Sequence, residues 1–256
     1  MILAILQART SSTRLPGKVL LPILGRPMIL LQAERIRRSR RIDKLVIATS
    51  RESTDDQLTA ICTAADLTVS RGSLDDVLDR FYQAACAESP DYVVRLTGDC
   101  PLADPQVIDE VIGHCLVNRF DYASNTIEPT YPDGLDVEVM TYGSLKAAWT
   151  DAALPSQREH VTPFIYQHPG RFRIGSYKGP TDLSSLRWTV DEPEDYNLVK
   201  TIYETLYPRD PAFSSSDVMR LLDATPALRG LNTQFERNAG YQTSLGKERN
   251  DSPHGY

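Results

Sequence analysis

Apolar residues form short continuous runs in the first half of the chain, separated by segments in which they recur at helical spacing. The runs at residues 2–6, 44–48, 67–69 and 92–96 predict strands, and the spacing at residues 28–38, 55–65, 74–87 and 104–116 predicts helices. Buried strands alternating with helices are typical of a mostly parallel sheet covered by helices. The first half of the chain therefore predicts an α/β fold.

Two of these helices carry start signals. Ser73 is followed by Asp75 and Asp76, which predicts a serine cap and an acidic first turn. Asp104 precedes Pro105, and proline is favoured at the first position of a helix. We expect helices to begin at both places.

The pattern changes after Phe120. Residues 121–124, 135–140, 171–176 and 187–190 are predicted as strands, and residues 142–149, 157–168, 193–206 and 216–222 as helices. We predict one domain over residues 1–231, with a small β-rich extension at about 121–180 that serves acceptor binding or dimerisation. Residues 232–256 are polar and aperiodic, which predicts a tail that is mobile or contacts a neighbour.

Composition narrows the class of protein. The 256 residues carry a net charge of -6, with 41% hydrophobic and 24% charged residues, as in an ordinary soluble domain. An acidic chain argues against non-specific binding to nucleic acid or to an anionic membrane. No apolar run approaches the length of a membrane span, and the N-terminus does not resemble a signal peptide. The four cysteines lack CxxC spacing, which favours free thiols, so a cytoplasmic protein is expected.

The segment after the first predicted strand contains Arg9, Ser12, Arg14 and Lys18 around a Leu-Pro-Gly bend. Ligands of doubly wound α/β proteins bind outside the carboxyl ends of the strands, where backbone N–H groups and cations can hold phosphate oxygens. The segment lacks both the GxGxxG pattern and a complete Walker A motif. It is either a phosphate-binding loop or a solvated connection.

Two aspartates follow predicted strands. Asp99 comes after residues 92–96 in the sequence RLTGDCP, and Asp191 comes after residues 187–190. Each has a simpler explanation, because Asp99 could hold a turn and Asp191 could cap the helix that Pro193 opens. Magnesium commonly takes one or two carboxylates together with substrate phosphates. With the cationic loop, the two aspartates predict a site for a metal-bound nucleoside triphosphate.

Further candidates are open to two interpretations. Arg71 and Gly72 follow a short strand, where they could contact a base or form a turn. Arg158 and His160 on one helix, with Glu138 on a nearby strand, could line an acceptor pocket, although a lone histidine is more often structural. A His/Glu metal site is not supported, because the HExxH spacing is missing.

The opening sequence QARTSSTRLPGKVLLPILGRPMI resembles that of the cytidylyltransferases that activate acidic sugars, the CMP-Kdo and CMP-sialic acid synthetases. The resemblance rests on Ala8, Arg9, Ser12, Arg14, Leu15, Pro16, Gly17, Lys18, Leu20, Gly25, Pro27 and Met28. The segments VSRGSLDDVLDRFYQAA, RLTGDCPLADP, REHVTPFIY and WTVDEPEDY are similar to the branch named after spore-coat polysaccharide biosynthesis protein F. The resemblance covers about residues 1–210.

The resemblance implies a nucleotide-diphospho-sugar transferase fold of the GT-A or Rossmann-like type, with CTP as donor, Mg²⁺ as cofactor and a homodimer as the assembly. It implies that the nucleotide is bound by Ala8, Arg9, Ser12, Arg14, Lys18, Thr49, Arg71, Gly72 and Thr97, with Asp99 and Asp191 as metal ligands. Lys18, Arg9 and Asp99 would be the catalytic residues. The sugar-acid pocket of the relatives has no clear match, so the acceptor is open between an acidic sugar and a phosphorylated compound.

The expected reaction is in-line attack of an acceptor oxygen on the α-phosphorus of CTP, with release of pyrophosphate. Two alternatives remain. One is a glycosyltransferase that uses a finished sugar nucleotide, although Asp99-Cys100-Pro101 departs from the usual Asp-x-Asp pair. The other is a non-catalytic nucleotide-binding protein of a polysaccharide gene cluster, which the presence of Lys18, Asp99 and Asp191 together disfavours.

Overall fold

The strands form one large sheet and a short hairpin. The computed structural model describes residues 1–235, 237 and 239–251. The strands are β1 (Ile2–Gln7), β2 (Pro22–Ile23), β3 (Arg26–Pro27), β4 (Lys44–Ser50), β5 (Thr68–Gly72), β6 (Tyr92–Thr97), β7 (Tyr122–Ser124), β8 (Glu138–Thr141) and β9 (Ile174–Ser176). The large sheet has the order β5-β4-β1-β6-β8-β7-β9, and the hairpin joins β2 to β3.

Helices connect most of the strands. They are α1 (Met28–Ile36), α2 (Asp56–Ala64), α3 (Val77–Glu88), α4 (Pro105–Asn118), α5 (Tyr142–Asp151), α6 (Pro155–His160), α7 (Pro163–Tyr166), α8 (Pro193–Leu206), α9 (Ser215–Ala224), α10 (Pro226–Arg229) and α11 (Ala239–Asp251). None of the described helices has the length and apolarity to cross a bilayer.

The central sheet is mostly parallel, as predicted. β1 runs parallel to both β4 and β6, whereas β8 is antiparallel to β6 and β7. The register pairs Gln7 with Thr97 and with Ala48, so β1, β4 and β6 end at the same edge of the sheet. The α/β fold class is therefore confirmed, and the polar residues that follow these strands share one edge.

Both faces of the sheet are covered, which explains why its central strands carry apolar side chains on both sides. Ala4 and Leu6 of β1 face one apolar cluster, and Leu3 and Ile5 face a second one. A third cluster around Trp188 packs α8 and α9 beside the sheet edge. Burial of these side chains contributes roughly 25 cal/mol for each Å² of apolar surface removed from water.

The prediction of one helix over residues 157–168 was wrong. The chain forms α6 and α7 instead, and Val161 between them has a φ of 72°. Pro163 has no N–H to donate to a preceding turn, so a new helix starts there. Residues 187–190 do not form a strand of the sheet either, because only a single bridge joins Asp133 to Arg187.

Several boundaries also differ. The strand predicted at residues 135–140 is β8, and the one predicted at 171–176 is the shorter β9. The Asp104 cap with Pro105 at the first helical position is confirmed. The other helix begins later than predicted, because Asp76 caps α3 and Ser73 instead accepts a bond from the Asp76 N–H.

The segment predicted as an irregular tail contains helix α11. This helix lies against α6, where Ser244 contacts His160 at 3.0 Å. Tyr241 also accepts a hydrogen bond from the Gln167 side chain at 3.1 Å. Residues 252–256 of the predicted tail lie outside the described residues.

Candidate active site

The loop after β1 is held in one shape by a buried carboxylate. The Asp55 Oδ1 atom accepts hydrogen bonds from the backbone and the hydroxyl of Thr10, both at 2.8 Å. Burial raises the pKa of Asp55, but bonds from Ser50 and Thr10 outweigh it and lower the pKa below its ordinary value. At the other end of the loop the Gly17 N–H donates to the Thr10 carbonyl at 2.9 Å. Gly17 has a φ of 69°, which favours glycine at this turn.

Lys18 follows this turn and points its ammonium group between two carboxylates. Its Nζ atom lies 3.1 Å from Asp99 Oδ2 and 2.7 Å from Asp191 Oδ1. The Lys18 side chain is 10% exposed and that of Asp99 is 28% exposed, so the pair borders on solvent. The two aspartates predicted to lie together are therefore adjacent, with a cation between them.

The opposite charges of Lys18 and Asp99 stabilise the charged form of each residue. Burial lowers the pKa of Lys18, but the charges of Asp99 and Asp191 outweigh burial and raise it. Burial likewise raises the pKa of Asp99, yet the nearby Lys18 ammonium and a hydrogen bond from Thr97 bring it far below its ordinary value. Lys18 is therefore an ammonium and Asp99 a carboxylate throughout the neutral range.

Backbone contacts fix the positions of both aspartates. The Asp99 carbonyl accepts bonds from the Val190 N–H at 2.7 Å and from the Thr189 hydroxyl at 3.2 Å. A Cβ atom at Gly98 would lie 3.0 Å from the Ala8 Cβ, so only glycine lets these loops approach so closely. The loop after β6 and residues 189–190 are thereby in direct contact, although they are distant in the sequence.

Asp191 is supported from behind by a buried ion network. Arg187 Nη2 lies 3.3 Å from Asp191 Oδ2 and 2.9 Å from Asp195 Oδ2, and its Nη1 lies 3.1 Å from Asp133. Asp195 also accepts the backbone N–H of Asp191 at 3.0 Å. Arg14 reaches Asp191 from the solvent side at 3.0 Å. Arg187 was not predicted as part of the site, although Asp191 and Asp195 lie only four and eight residues further along the chain.

The remaining loop residues differ in their environment. Arg9 is exposed and makes no hydrogen bond or ion pair within the part of the chain that the structure describes. The Ser12 hydroxyl accepts a bond from the Leu15 N–H at 3.3 Å and so shapes the bend. Arg9 is thus free to contact a ligand, whereas Ser12 also has a structural task.

The predicted base-side residues lie at the ends of β4 and β5. Thr49 pairs with Arg71 in the sheet register, but its hydroxyl is buried and donates to Asp55 at 3.0 Å. The Arg71 guanidinium donates to the Ser50 carbonyl at 2.8 Å and pairs with Asp56 at 2.7 Å. These contacts favour a structural role for both side chains, and their roles in nucleotide binding stay predictions.

Gly72 and Thr97 are explained in part by packing. A Cβ atom at Gly72 would lie 2.9 Å from the Arg80 Cγ atom, so this glycine makes room for a buried arginine. The Thr97 hydroxyl lies 3.2 Å from the Cys100 sulfur and at the carboxyl end of β6, next to the aspartate site. Thr97 is thus well placed for a ligand, and Gly72 is required by the fold itself.

The three predicted acceptor residues do not form one cluster. Arg158 is tied to Asp76 at 2.6 Å and to the Trp149 carbonyl at 2.7 Å, so its guanidinium joins α6 to the start of α3. Burial, followed by the charge of Arg95, lowers the pKa of His160. Glu138 interacts with Arg95 on the neighbouring strand rather than with Arg158. The contacts favour a structural role for Arg158, and the acceptor assignment stays a prediction.

A further carboxylate was not singled out from the sequence. Burial raises the pKa of Asp136 to about 7, and the charge of the nearby Arg237 opposes this shift. Asp133, Glu138 and Asp99 raise it further, which shows that the edge of the sheet concentrates negative charge. Asp136 belongs to the segment at residues 132–138, of which the sequence analysis gave a role only to Glu138.

The donor set suits a cation shared with phosphate oxygens. Asp99 and Asp191 offer carboxylate oxygens, the ligand type that magnesium prefers, and both already contact one cationic nitrogen. Among residues 1–235, 237 and 239–251, no group of three or more His, Cys, Asp or Glu residues could hold a metal ion alone. The two carboxylates fit a metal ion that is held partly by substrate phosphates.

Comparison with known proteins agrees with this geometry. The family described as Cytidylyltransferase matches residues 3–223. Spore coat polysaccharide biosynthesis protein SpsF of Bacillus subtilis is 38% identical over 232 residues, covering 88% of this chain and 95% of that protein.

Solved structures show the same architecture. A cytidylyltransferase from Leptospira borgpetersenii superposes with a TM-score of 0.86 at 31% identity, covering 92% of this chain and 99% of that one. CMP:2-keto-3-deoxy-manno-octonic acid synthetase, complexed with CTP, has a TM-score of 0.63 at 18% identity, covering 79% and 98%. The latter likeness concerns the fold alone. The sequence match and the strand-end site together show that the chain is a nucleotidyltransferase of the cytidylyltransferase family.

Proposed function

We propose that the protein transfers CMP from CTP to an acidic sugar or a phosphorylated acceptor, with release of pyrophosphate, in the biosynthesis of a surface polysaccharide or glycan. The observation that carries the proposal is the Lys18 ammonium held between Asp99 and Asp191 beside the loop after β1. The name of the Bacillus subtilis relative supports the role in polysaccharide biosynthesis.

The residues of the site account for the reaction without forming a covalent intermediate. An acceptor oxygen forms a bond to the α-phosphorus as the bond to the β-phosphate oxygen breaks, and pyrophosphate leaves with that electron pair. The acceptor proton passes to solvent. Lys18 and Arg9 offset the negative charge that collects on the phosphate oxygens, and the fixed loop orients the chain of phosphates. Positioning and charge compensation are thus the main contributions of the protein.

We infer that Asp99 and Asp191 hold Mg²⁺ when the nucleotide is bound. When bound, the ion supplies Lewis-acid charge to the phosphate oxygens. Arg187 and Asp195 keep Asp191 in position from behind. The two carboxylates that Lys18 now contacts are the ligands that such an ion would need, so the ammonium would turn toward the phosphates.

The homodimer and the cytoplasmic location remain predictions from the resemblance and the composition. That particular residues select CTP over the other nucleotides is also still a prediction. The contacts around β6 bear on the chemical class of the acceptor.

The test measures pyrophosphate release from each of the four nucleoside triphosphates with sugar acids, sugar phosphates and small phosphorylated acids. We expect release with CTP, and a fall in kcat of about 100- to 1,000-fold for Lys18→Met, the usual effect of removing one group that stabilises developing charge. Lys200→Met is the matched control, because Lys200 forms only an exposed pair with Glu204 at 3.8 Å.

Three results would contradict the proposal. Full activity of Lys18→Met would show that the site is wrongly assigned. Consumption of a sugar nucleotide without any pyrophosphate release would instead identify a glycosyltransferase. A protein that bound CTP with Mg²⁺ but turned over none of the acceptors would favour the non-catalytic alternative.

A further inference from the structure

We propose that Arg95 binds the anionic group of the acceptor, and that Glu138 and Gln7 position it for this task. The inference rests on the proposed function, because it assigns a residue to the second substrate of the same site. It concerns a residue that opens the segment RLTGDCPLADP but to which the sequence analysis assigns no binding role.

Arg95 lies on β6, the strand that ends just before Asp99. Side chains alternate along a strand, so Arg95 and Thr97 of β6 point to the same face, and Asp99 follows at the strand end. Gln7 lies at the end of the neighbouring β1, opposite Thr97 in the register. A group bound at Arg95 would therefore lie within the crevice that ends at Asp99.

Arg95 is held rigidly by residues on the strands at either side. Its Nη1 atom forms an ion pair with Glu138 Oε2, and its Nε atom donates to Gln7 Oε1 at 3.1 Å. The other carboxylate oxygen of Glu138 accepts hydroxyl bonds from Tyr122 at 2.7 Å and from Thr162 at 2.5 Å. Three partners thus hold the Glu138 carboxylate, which in turn fixes the position of the guanidinium group.

The side-chain nitrogens of Arg95 and Gln7 that remain without a partner are hydrogen-bond donors. Arg95 Nη2 and Gln7 Nε2 have no hydrogen-bond partner within the described residues. The Arg95 side chain is 14% exposed, compared with 8% for Glu138, so the guanidinium group keeps more access to solvent than the carboxylate. A pair of adjacent donors without an acceptor suits a carboxylate or phosphate oxygen pair better than a sugar hydroxyl.

Electrostatics around His160 agrees with this placement. The charges of Arg95 and Arg9 both lower the pKa of His160, after the larger effect of burial, so the imidazole is within reach of both cations. Because its pKa is lowered, the imidazole is largely uncharged near pH 7, and the positive charge at this place comes from the arginines. Arg9, which has no partner among the described residues, would add a second positive charge from the loop side.

The test compares charged and uncharged forms of one acceptor. Calorimetry measures binding of 2-keto-3-deoxy-manno-octonic acid and its methyl ester, and of a sugar phosphate and the free sugar, in the presence of Mg²⁺ and a non-hydrolysable CTP analogue. We expect the wild type to bind at least one anionic form more than tenfold tighter than its uncharged partner. Arg95→Met should bring that ratio close to one and leave the affinity for the uncharged form unchanged.

Two controls keep the result interpretable. Arg41→Met removes an exposed arginine before the amino end of β4 and should leave the ratio unchanged. Because Arg95→Met leaves Glu138 buried without its cation, the double variant Arg95→Met/Glu138→Gln is measured as well, with circular dichroism to verify folding. It should show the same loss of preference.

A ratio that survives in both Arg95 variants would overturn the proposal, as would a wild type that binds no anionic form more tightly. The carboxylate and phosphate arms identify which anion is selected. Failure of the proposed function looks different, because the wild type would then release no pyrophosphate while its anion preference still depended on Arg95.

Discussion

Asp195→Ala tests whether the network behind Asp191 is needed for the fold and for the site. The buried Asp195 carboxylate accepts bonds from Arg187 at 2.9 and 3.0 Å, from the Asn232 side chain at 2.8 Å, and from the N–H groups of Asp191 and Glu192 at 3.0 Å. Breaking one partner of a buried ion pair costs about 3–5 kcal/mol. Losing the cap at the start of α8 costs about 1 kcal/mol more.

We therefore expect the free energy of unfolding to fall by about 4 kcal/mol or more in urea titrations at pH 7. Asp217→Ala is the matched control, because Asp217 occupies the same capping position at the start of α9 but pairs only with the exposed Arg220. It should cost only the capping contribution, about 1 kcal/mol. Pyrophosphate release should also fall in Asp195→Ala, since Asp191 loses its support.

The pH dependence of the same variant has a defined sign. Burial raises the pKa of Asp195, but bonds from Arg187 and the Asp191 N–H lower it below its ordinary value. The stabilisation is thus present above the unfolded pKa of about 3.9 and is lost as the pH falls through the folded pKa. The difference between wild type and variant should shrink in acid. Equal losses for Asp195→Ala and Asp217→Ala, or a difference that does not change with pH, would refute the reasoning.

Two further predictions follow from the strand ends. Gly98→Ala should lower the free energy of unfolding by about 1–3 kcal/mol and reduce turnover, because the new Cβ would lie 3.0 Å from the Ala8 Cβ. The control in the same thermal melts is Gly240→Ala. It should not destabilise the protein, because no atom lies within 4 Å of the new Cβ. Burial raises the pKa of Asp136 to about 7, so the folded state binds a proton that the unfolded state has lost, and stability should fall as the pH rises from about 4 to 7. Asp136→Asn should flatten this part of the stability curve, and an unchanged slope would show that Arg237 compensates the charge fully.

Local signals were sufficient for the parallel half of the sheet. β1, β4 and β6 were predictable because each is buried on both faces, and Asp104 with Pro105 gave the start of α4 directly. The antiparallel half was harder, since its strands are short and their pairing is decided by contacts distant in sequence. The division of residues 155–166 into two helices comes from Val161, with a φ of 72°, and from Pro163, and hydrophobic spacing reveals neither.

The candidate site was predictable only where residues follow strands. Lys18, Asp99 and Asp191 could be named because the carboxyl ends of parallel strands meet at one edge. The residues that hold them were missed, because Asp55 reaches the loop after β1 across 45 residues and Arg187 belongs to no motif that marks a buried ion network. Helix α11 was missed for a related reason, because its sequence has no apolar stripe and its contacts with α6 are largely polar side chains such as Ser244.

The two carboxylates beside Lys18 lie 81 and 173 residues further along the chain. During synthesis the loop after β1 and its lysine therefore leave the ribosome long before the second aspartate exists. The parallel strands can pair and bury their apolar faces while the binding edge is still incomplete. A fragment that ends after α4 would lack Asp191 and would retain only one of the two carboxylates beside Lys18.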